Sequence, residues 1–407
     1  MNTRITDRWG GVAAVFAALL PLLSGCGGGS TETAEPPPPP PVPYVYAAPA
    51  DNGDLWQVAE ASETGMTEAL LEDMVNALRS GEFPIVDSVA ISHAGRLVLH
   101  ETIRKELNPF DEWVDNTDPA LHVQFSVSKS LVSSLVGVAI DQGVFESVDT
   151  PYLSLFDYEA YDNWDERKND MTLADVMKMR LGLEWNEWDP AYTDPANQLL
   201  TFYDTETDYS KALLDLPMAA EPGSTFAYNT VASVSLGQAI ENRAPLSLID
   251  YGGAFLLAPL GISNIEVFRT PTGLPDLGRG LFLTTRDMLK FGQLYMDNGL
   301  WNGERLLSSD WISESLTPYT SIRWAGDEPM EWEIDGYGYQ WWLGHFDIDG
   351  RQLDTFAAWG HGEQWIMAIP ALQVVIAINS HAWEGGPAET NQVFNLIRRF
   401  IIPAVEG

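Results

Sequence analysis

Ser126 and Lys129 lie three residues apart at the front of a long apolar run, Val127 to Ile140. On a helix that spacing puts both side chains on one face, one turn apart. A serine hydroxyl is a poor nucleophile near neutral pH and needs a base within hydrogen-bond reach. A partly desolvated lysine, drawn down to a pKa of about 7–8, can be that base. The pair reads as an acylating serine with its proton acceptor. A plainer arrangement also fits: a serine capping a helix start, with a solvated lysine one turn later. The chain has 25 Ser, so the spacing alone does not choose between them.

Two other stretches carry groups that would complete such a centre. Glu221-Pro222-Gly223 makes a turn, and Phe226-Ala227-Tyr228-Asn229-Thr230 then opens a helix. Tyr228 therefore falls at a turn, where its phenol can pass protons between lysine, serine and leaving group. It can equally be a core tyrosine with a wet hydroxyl. Trp359-Gly360-His361-Gly362-Glu363-Gln364-Trp365 joins two strand candidates. A glycine-rich, sharply turned strand lets backbone N–H groups approach a substrate, as an oxyanion hole requires. His361 fits either that site or a structural turn. The chain has no Gly-x-Ser-x-Gly elbow, no His-Glu-x-x-His, no cysteine pair for zinc and no Gly-rich phosphate loop after a strand. No metal or cofactor is expected.

The elements that must position these residues follow from hydrophobic period. Thr64 to Ser80 has helical spacing. Val86 to Ser92 and Arg96 to Glu101 read as a hairpin around Ala94-Gly95. The Ser126 helix is expected to stop near Gly143. Met171 to about Met296 is mostly helical, clearest at Met171 to Leu181, Thr230 to Arg243 and Thr285 to Met296. Strand-length runs return at Gly338 to Leu343, Leu353 to Trp359, Gln364 to Ile369 and Val374 to Asn379, and Asn391 to Ile402 closes the chain as a helix. The economical architecture is α+β: an antiparallel sheet built from both termini, flanked by helices, with a mostly helical inserted lobe at about 126–330.

The N-terminus reads as a targeting segment. Arg4 and Arg8 precede a short apolar stretch, Val12 to Leu23, too short for a comfortable span of about 20 residues. Leu23-Ser24-Gly25-Cys26 resembles the lipobox of bacterial lipoproteins, and Cys26 is the only cysteine of the chain. The expectation is a signal peptide at 1–25, lipid attachment at Cys26 and a Pro/Gly-rich tether to residue 50, ahead of one catalytic domain at 51–407. The protein would then be an exported lipoprotein of the cell envelope, on the periplasmic side of an outer membrane, with no internal disulfide. Its net charge of −36 argues against nucleic acid and against a lipid surface as partner, leaving the anchor as the membrane contact.

Taken in order, Ser-x-x-Lys, Tyr-Asn-Thr and Gly-His-Gly resemble the serine β-lactamase and penicillin-binding-protein superfamily. The likeness is greatest to its class C-like branch of esterases, D-amino-acid peptidases and 6-aminohexanoate-dimer hydrolases, and it covers about Ile85 to Ile402. Met179-Arg180-Leu181-Gly182-Leu183, the Gly280 to Asp287 stretch and Tyr337 to Trp342 are similar to further segments of that family. The resemblance implies that Ser126 is acylated, that Lys129 is its base partner and that Tyr228 handles protons. It places Thr230 against the substrate or Lys129, His361 and Gly362 at the substrate strand, and the Gln364 N–H beside that of Ser126 around the oxyanion. Asn186 to Asn197, with Trp188, Tyr192 and Asp194, is similar to the rim that holds the leaving part in the dimer hydrolases. Two positions depart from the pattern. His361 stands where penicillin-acting members keep a lysine, and Glu363 stands where relatives usually have Gly. The expected function is hydrolysis of small esters or amides through a Ser126 acyl-enzyme. The alternatives are a β-lactamase or DD-peptidase, or a non-catalytic penicillin-binding envelope module.

Overall fold

In the computed structural model, residues 43–104, 118, 120–322, 330–383 and 386–407 are described. The signal segment, Cys26 and most of the tether lie outside them. The chain lays down two strands, β1 (Val86–His93) and β2 (Arg96–Thr102), and then leaves the sheet for more than 200 residues. Within that excursion β3 (His122–Val123), β4 (Glu266–Val267) and β5 (Leu281–Leu283) form a small sheet, and β6 (Leu300–Trp301) pairs with β7 (Glu304–Arg305). Among the described residues the rest of the excursion is helices and long turns. The chain returns through β8 (Thr320–Ser321), β9 (Glu333–Tyr337), β10 (Trp342–Ile348), β11 (Arg351–Gly360), β12 (Gln364–Ile369) and β13 (Val374–Ser380). The main sheet has the order β2-β1-β13-β12-β11-β10-β9-β8, every neighbour antiparallel. The α+β architecture with a sheet assembled from both ends is therefore the observed one.

Both faces of the sheet are covered, which is why its central strands are apolar on both sides. Val375 and Ala377 of β13 face the core that holds the Val127–Asp141 and Thr285–Met296 helices. Val374, Ile376 and Ile378 face the second core, with Met74 and Val75 of the Glu68–Arg79 helix and Phe394 and Ile397 near the C-terminus. A one-residue slip of β13 would exchange these sets. Burial of each such side chain is worth about 1.5–3 kcal/mol, so packing on two faces fixes the register. That register in turn places the turn between β11 and β12.

The Val127–Asp141 helix runs through the core, buried on every side from Val127 to Ala139. Its serines are tied off rather than exposed. Ser128 Oγ accepts from the Leu281 N–H, Ser130 donates to the Gln340 carbonyl and Ser133 to the Tyr339 carbonyl. Those last two bonds explain one difference from the sequence reading. Gly338 to Leu343 is not a continuous strand: β9 ends at Tyr337 and β10 begins at Trp342. Between them Gln340 turns through φ +62°, and its carbonyl and that of Tyr339 are taken by the helix instead of a neighbouring strand.

Three further boundaries move. The Thr64 to Ser80 helix begins only at Glu68, because Gly65 breaks the chain at φ +96°. The Met171 to Leu181 helix is cut to Leu173–Met177, with Met179 at φ +57° just beyond. At the other end of the chain the closing helix starts earlier, at Pro387, and continues through a π-turn into Ile402–Glu406. The packed body also begins before Asp51. Tyr44 N–H donates to Asn76 and the Tyr46 hydroxyl to the Val98 carbonyl, so the last residues of the expected tether lie against the body.

Candidate active site

Ser126 sits at the N-cap of the buried helix with φ −68° and ψ −10°, and its hydroxyl makes no capping bond. The Lys129 ammonium nitrogen lies 2.8 Å from Ser126 Oγ and 2.8 Å from the Gly278 carbonyl. Lys129 is only 1% exposed. The capped helix with a solvated lysine is thus not what the chain builds. The residue before Ser126, Phe125, holds φ +44°, a left-handed conformation uncommon for a non-glycine residue and typical of strained functional turns. The same turn presents the Phe125 ring edge-on to His361 at 5.4 Å.

Burial pulls the Lys129 pKa down to about 8, against the opposing pull of Glu187 and Asp276. The Asp276 carboxylate accepts from the Gly278 and Arg279 N–H groups and pairs with the Arg279 side chain, which clamps the turn carrying the Gly278 carbonyl. Gly278 is required by its neighbours: a Cβ there would meet the Thr230 carbonyl at 2.6 Å.

Tyr228 falls in the extended stretch just before the Thr230–Arg243 helix, with Asn229 as N-cap. Its ring is sandwiched between Trp188, at 5.3 Å and 21°, and Trp342, at 5.7 Å and 26°. The Lys129 nitrogen lies 5.0 Å from the ring centre, and Tyr228 and Ser126 line the same cleft. Burial, and then Glu187, raise the Tyr228 pKa far above the ordinary phenol value, the Ser126 bond opposing. The group therefore stays a phenol at working pH and can donate or relay a proton.

Thr230 is placed differently from expectation. Its hydroxyl donates to Glu187 Oε1 at 2.7 Å and its N–H to Glu187 Oε2 at 2.6 Å, so it bonds neither Lys129 nor the cleft. Glu187 is 1% exposed and also accepts from the Tyr192 hydroxyl and the Trp185 indole. This carboxylate ties the 185–192 loop to the helix behind Tyr228. Sequence reasoning passed over it, although it lies inside the rim stretch and beside Trp188. The available signal was its place between Trp185 and Trp188, although Glu184 and Asp189 nearby are equally acidic.

Ser126, Tyr228, Trp188 and Tyr192 open onto one cleft of about 530 Å³. Its other wall is the turn Gly360 to Glu363, with Trp342, Trp359, Ile334, Met330 and Ile322 supplying apolar surface. His361 faces this cleft, and burial lowers its pKa below the usual imidazole value, so it is neutral at neutral pH. The Gln364 side chain lies behind the wall. Fully buried, it spends its side-chain amide on the Ser380 and His361 carbonyls. Asp194, the third rim residue, is an exposed loop cap and stays outside the cleft lining. Glu363 faces in. It is 4% exposed and held at φ +67°, with the Trp365 indole donating to Oε2 at 2.8 Å and the Thr390 hydroxyl to Oε1 at 2.9 Å. Among the described residues no cluster of His, Cys, Asp and Glu is arranged to hold a metal ion.

A sheet built from both ends, a helical excursion and a serine–lysine pair at the front of a buried helix define a class of penicillin-recognising and related serine hydrolase folds. The chain belongs to the Beta-lactamase family, a family of hydrolases, whose model matches residues 85–396. It is 26% identical to the 6-aminohexanoate-dimer hydrolase of Paenarthrobacter ureafaciens over 262 residues, which is 61% of this chain. The chain spans 62% of that relative's length. Among solved structures it is similar to the hydrolase EstCE1, with promiscuous acyltransferase activity (TM-score 0.61, 16% identity, 81% of this chain and 98% of that one). It is also similar to the penicillin-binding protein homologue of Pyrococcus abyssi (TM-score 0.59, 17% identity, 81% and 76%). At these identities the structural likeness is one of fold.

Proposed function

We propose that the protein hydrolyses small esters or amides through an acyl-enzyme on Ser126. The observation that carries this reading is the buried Lys129 amine 2.8 Å from Ser126 Oγ, with its pKa drawn down to about 8. The neutral amine takes the serine proton as the hydroxyl oxygen attacks the substrate carbonyl. The Tyr228 phenol, in the same cleft and beside Lys129, passes a proton from the lysine to the departing alcohol or amine. Water then attacks the acyl carbonyl and the same groups return the proton to Ser126. The backbone N–H of Gln364, where the Gly360 to Glu363 turn enters its strand, joins that of Ser126 as the oxyanion donors.

A lactamase or DD-peptidase activity is the second reading, and the cleft weighs against it. Among the described residues lining it there is no Lys or Arg, and His361 is neutral at neutral pH, so nothing on that wall is a permanent cation for a substrate carboxylate. The decisive experiment is Ser126→Ala. The variant should lose turnover of p-nitrophenyl butyrate and labelling by an activated phosphonate while keeping its melting temperature. Retained turnover rejects the reading. Running a linear amide dimer and a chromogenic cephalosporin beside the ester ranks the substrate classes. Export and anchoring through Cys26 belong to the same proposal, and Cys26→Ser should move the protein from the membrane fraction to the soluble one.

A further inference from the structure

A carboxyl group is a costly thing to place in the wall of an apolar cleft. Hiding it without partners is strongly unfavourable. This chain goes to some length to keep one there. Gly362 takes φ +79° with its α-carbon against Trp383, where a Cβ would lie 2.2 Å from the indole, and Glu363 follows at φ +67°. Two successive left-handed residues turn the Glu363 side chain inward, away from solvent, and the indole of Trp365 and the hydroxyl of Thr390 hold it by one oxygen each. Trp359, stacked on Trp365 at 4.9 Å, makes the adjoining wall. Neither donor neutralises the carboxyl, and Lys129, the lysine beside the nucleophile, is spent on Ser126 and Gly278. None of this serves the proton transfers at Ser126, which use Lys129 and Tyr228.

We propose that Glu363 is a specificity-determining residue of the cleft: it admits substrate chains that end in an ammonium or another hydrogen-bond donor and rejects chains that end in a carboxylate. Like charges brought together at a desolvated surface repel strongly, whereas a donor meets an oxygen with a lone pair still free. A neutral alkyl or aryl end is accepted on the indoles without regard to the carboxyl. The inference deepens the ester and amide hydrolase reading and rests on it for its meaning, although the selectivity itself is a property of binding.

Three probes of one shape separate the cases: phenethylamine, phenethyl alcohol and phenylacetate. They are titrated calorimetrically into the full protein at about pH 8.5, where an amine of ordinary pKa is charged and a carboxyl is ionised. The expected result is binding of phenethylamine at least tenfold tighter than phenylacetate, with the alcohol between. In Glu363→Gln the gap closes to about twofold while the alcohol is unmoved. Equal binding of amine and acid by the wild-type protein overturns the proposal, and so does a gap that persists in a folded Glu363→Gln. If that variant does not fold, the wild-type order decides. Turnover is not needed for the readout. A protein that prefers the amine but cleaves no ester or amide therefore rejects the hydrolase reading alone. One that cleaves esters and binds amine and acid alike rejects this inference alone.

Discussion

Glu187 accepts both the N–H and the hydroxyl of Thr230, at 2.6 and 2.7 Å. It thereby fixes the start of the helix behind Tyr228 and sets a negative charge near Lys129, whose amine it holds more basic than burial alone would leave it. Glu187→Gln removes that charge. The acid limb of the pH dependence of kcat/KM should move to lower pH, because the neutral amine becomes easier to form. Lost bonds to Thr230, Tyr192 and Trp185 should lower stability by about 1–3 kcal/mol. A limb that stays in place would show that the carboxylate only braces the fold.

Activity should rise with pH through about 8 in the wild-type protein, since the proton acceptor is the unprotonated Lys129 amine. Lys129→Ala should lose about a hundred- to ten-thousand-fold in kcat/KM and flatten that limb. Steady-state rates between mildly acidic and alkaline pH measure both. A profile set near ordinary imidazole titration instead would assign the base to a histidine.

Gly278→Ala forces a methyl to within 2.6 Å of the Thr230 carbonyl. The turn must give, and the carbonyl that holds Lys129 moves with it. Since the lysine acts on the serine rather than on the bound substrate, kcat should fall by ten-fold or more, about 1.4 kcal/mol in barrier, with KM little changed. Unchanged kcat would mean that Ser126 alone is enough to hold the amine.

Glu363 also makes stability depend on pH, with a definite sign. Burial raises its folded pKa from 4.5 to about 7, against the opposing bonds from Trp365 and Thr390. Between those values the folded chain keeps a proton that the unfolded chain has released, so the contribution is complete below the unfolded pKa and fades as pH rises to about 7. The loss is on the order of 3 kcal/mol. Wild type minus Glu363→Gln, by denaturant melts at several pH values, should slope downward across that window. A flat difference would mean that the carboxyl is solvated.

The periods of the chain announced the Val127 helix, the Thr230–Arg243 and Thr285–Met296 helices, the terminal hairpin and the last three strands, because each has a strong pattern and a clear breaker. They failed at Gly338 to Leu343. That run has strand composition, but its carbonyls are claimed by Ser130 and Ser133, two hundred residues earlier. The same limit applies at the site. Ser126, Lys129, Tyr228, His361 and Gly362 were visible as residue types at telling positions. Glu187 was not, since a single carboxylate in a loop carries no period. The family resemblance set Thr230 against the substrate or Lys129, and nothing in its own neighbourhood names Glu187.

By itself the sequence determined which groups are available for chemistry and which elements carry them, since residue type, spacing and hydrophobic period are local properties. Tertiary structure alone decided their states. Whether Lys129 is a solvated cation or a buried amine depends on Gly278, Asp276 and Glu187, each brought in from a distant part of the chain. Whether Glu363 faces water or the cleft depends on two left-handed residues and on Thr390 of the closing helix. Desolvation and charge proximity are set by what packs around a group, and that is written only in the fold.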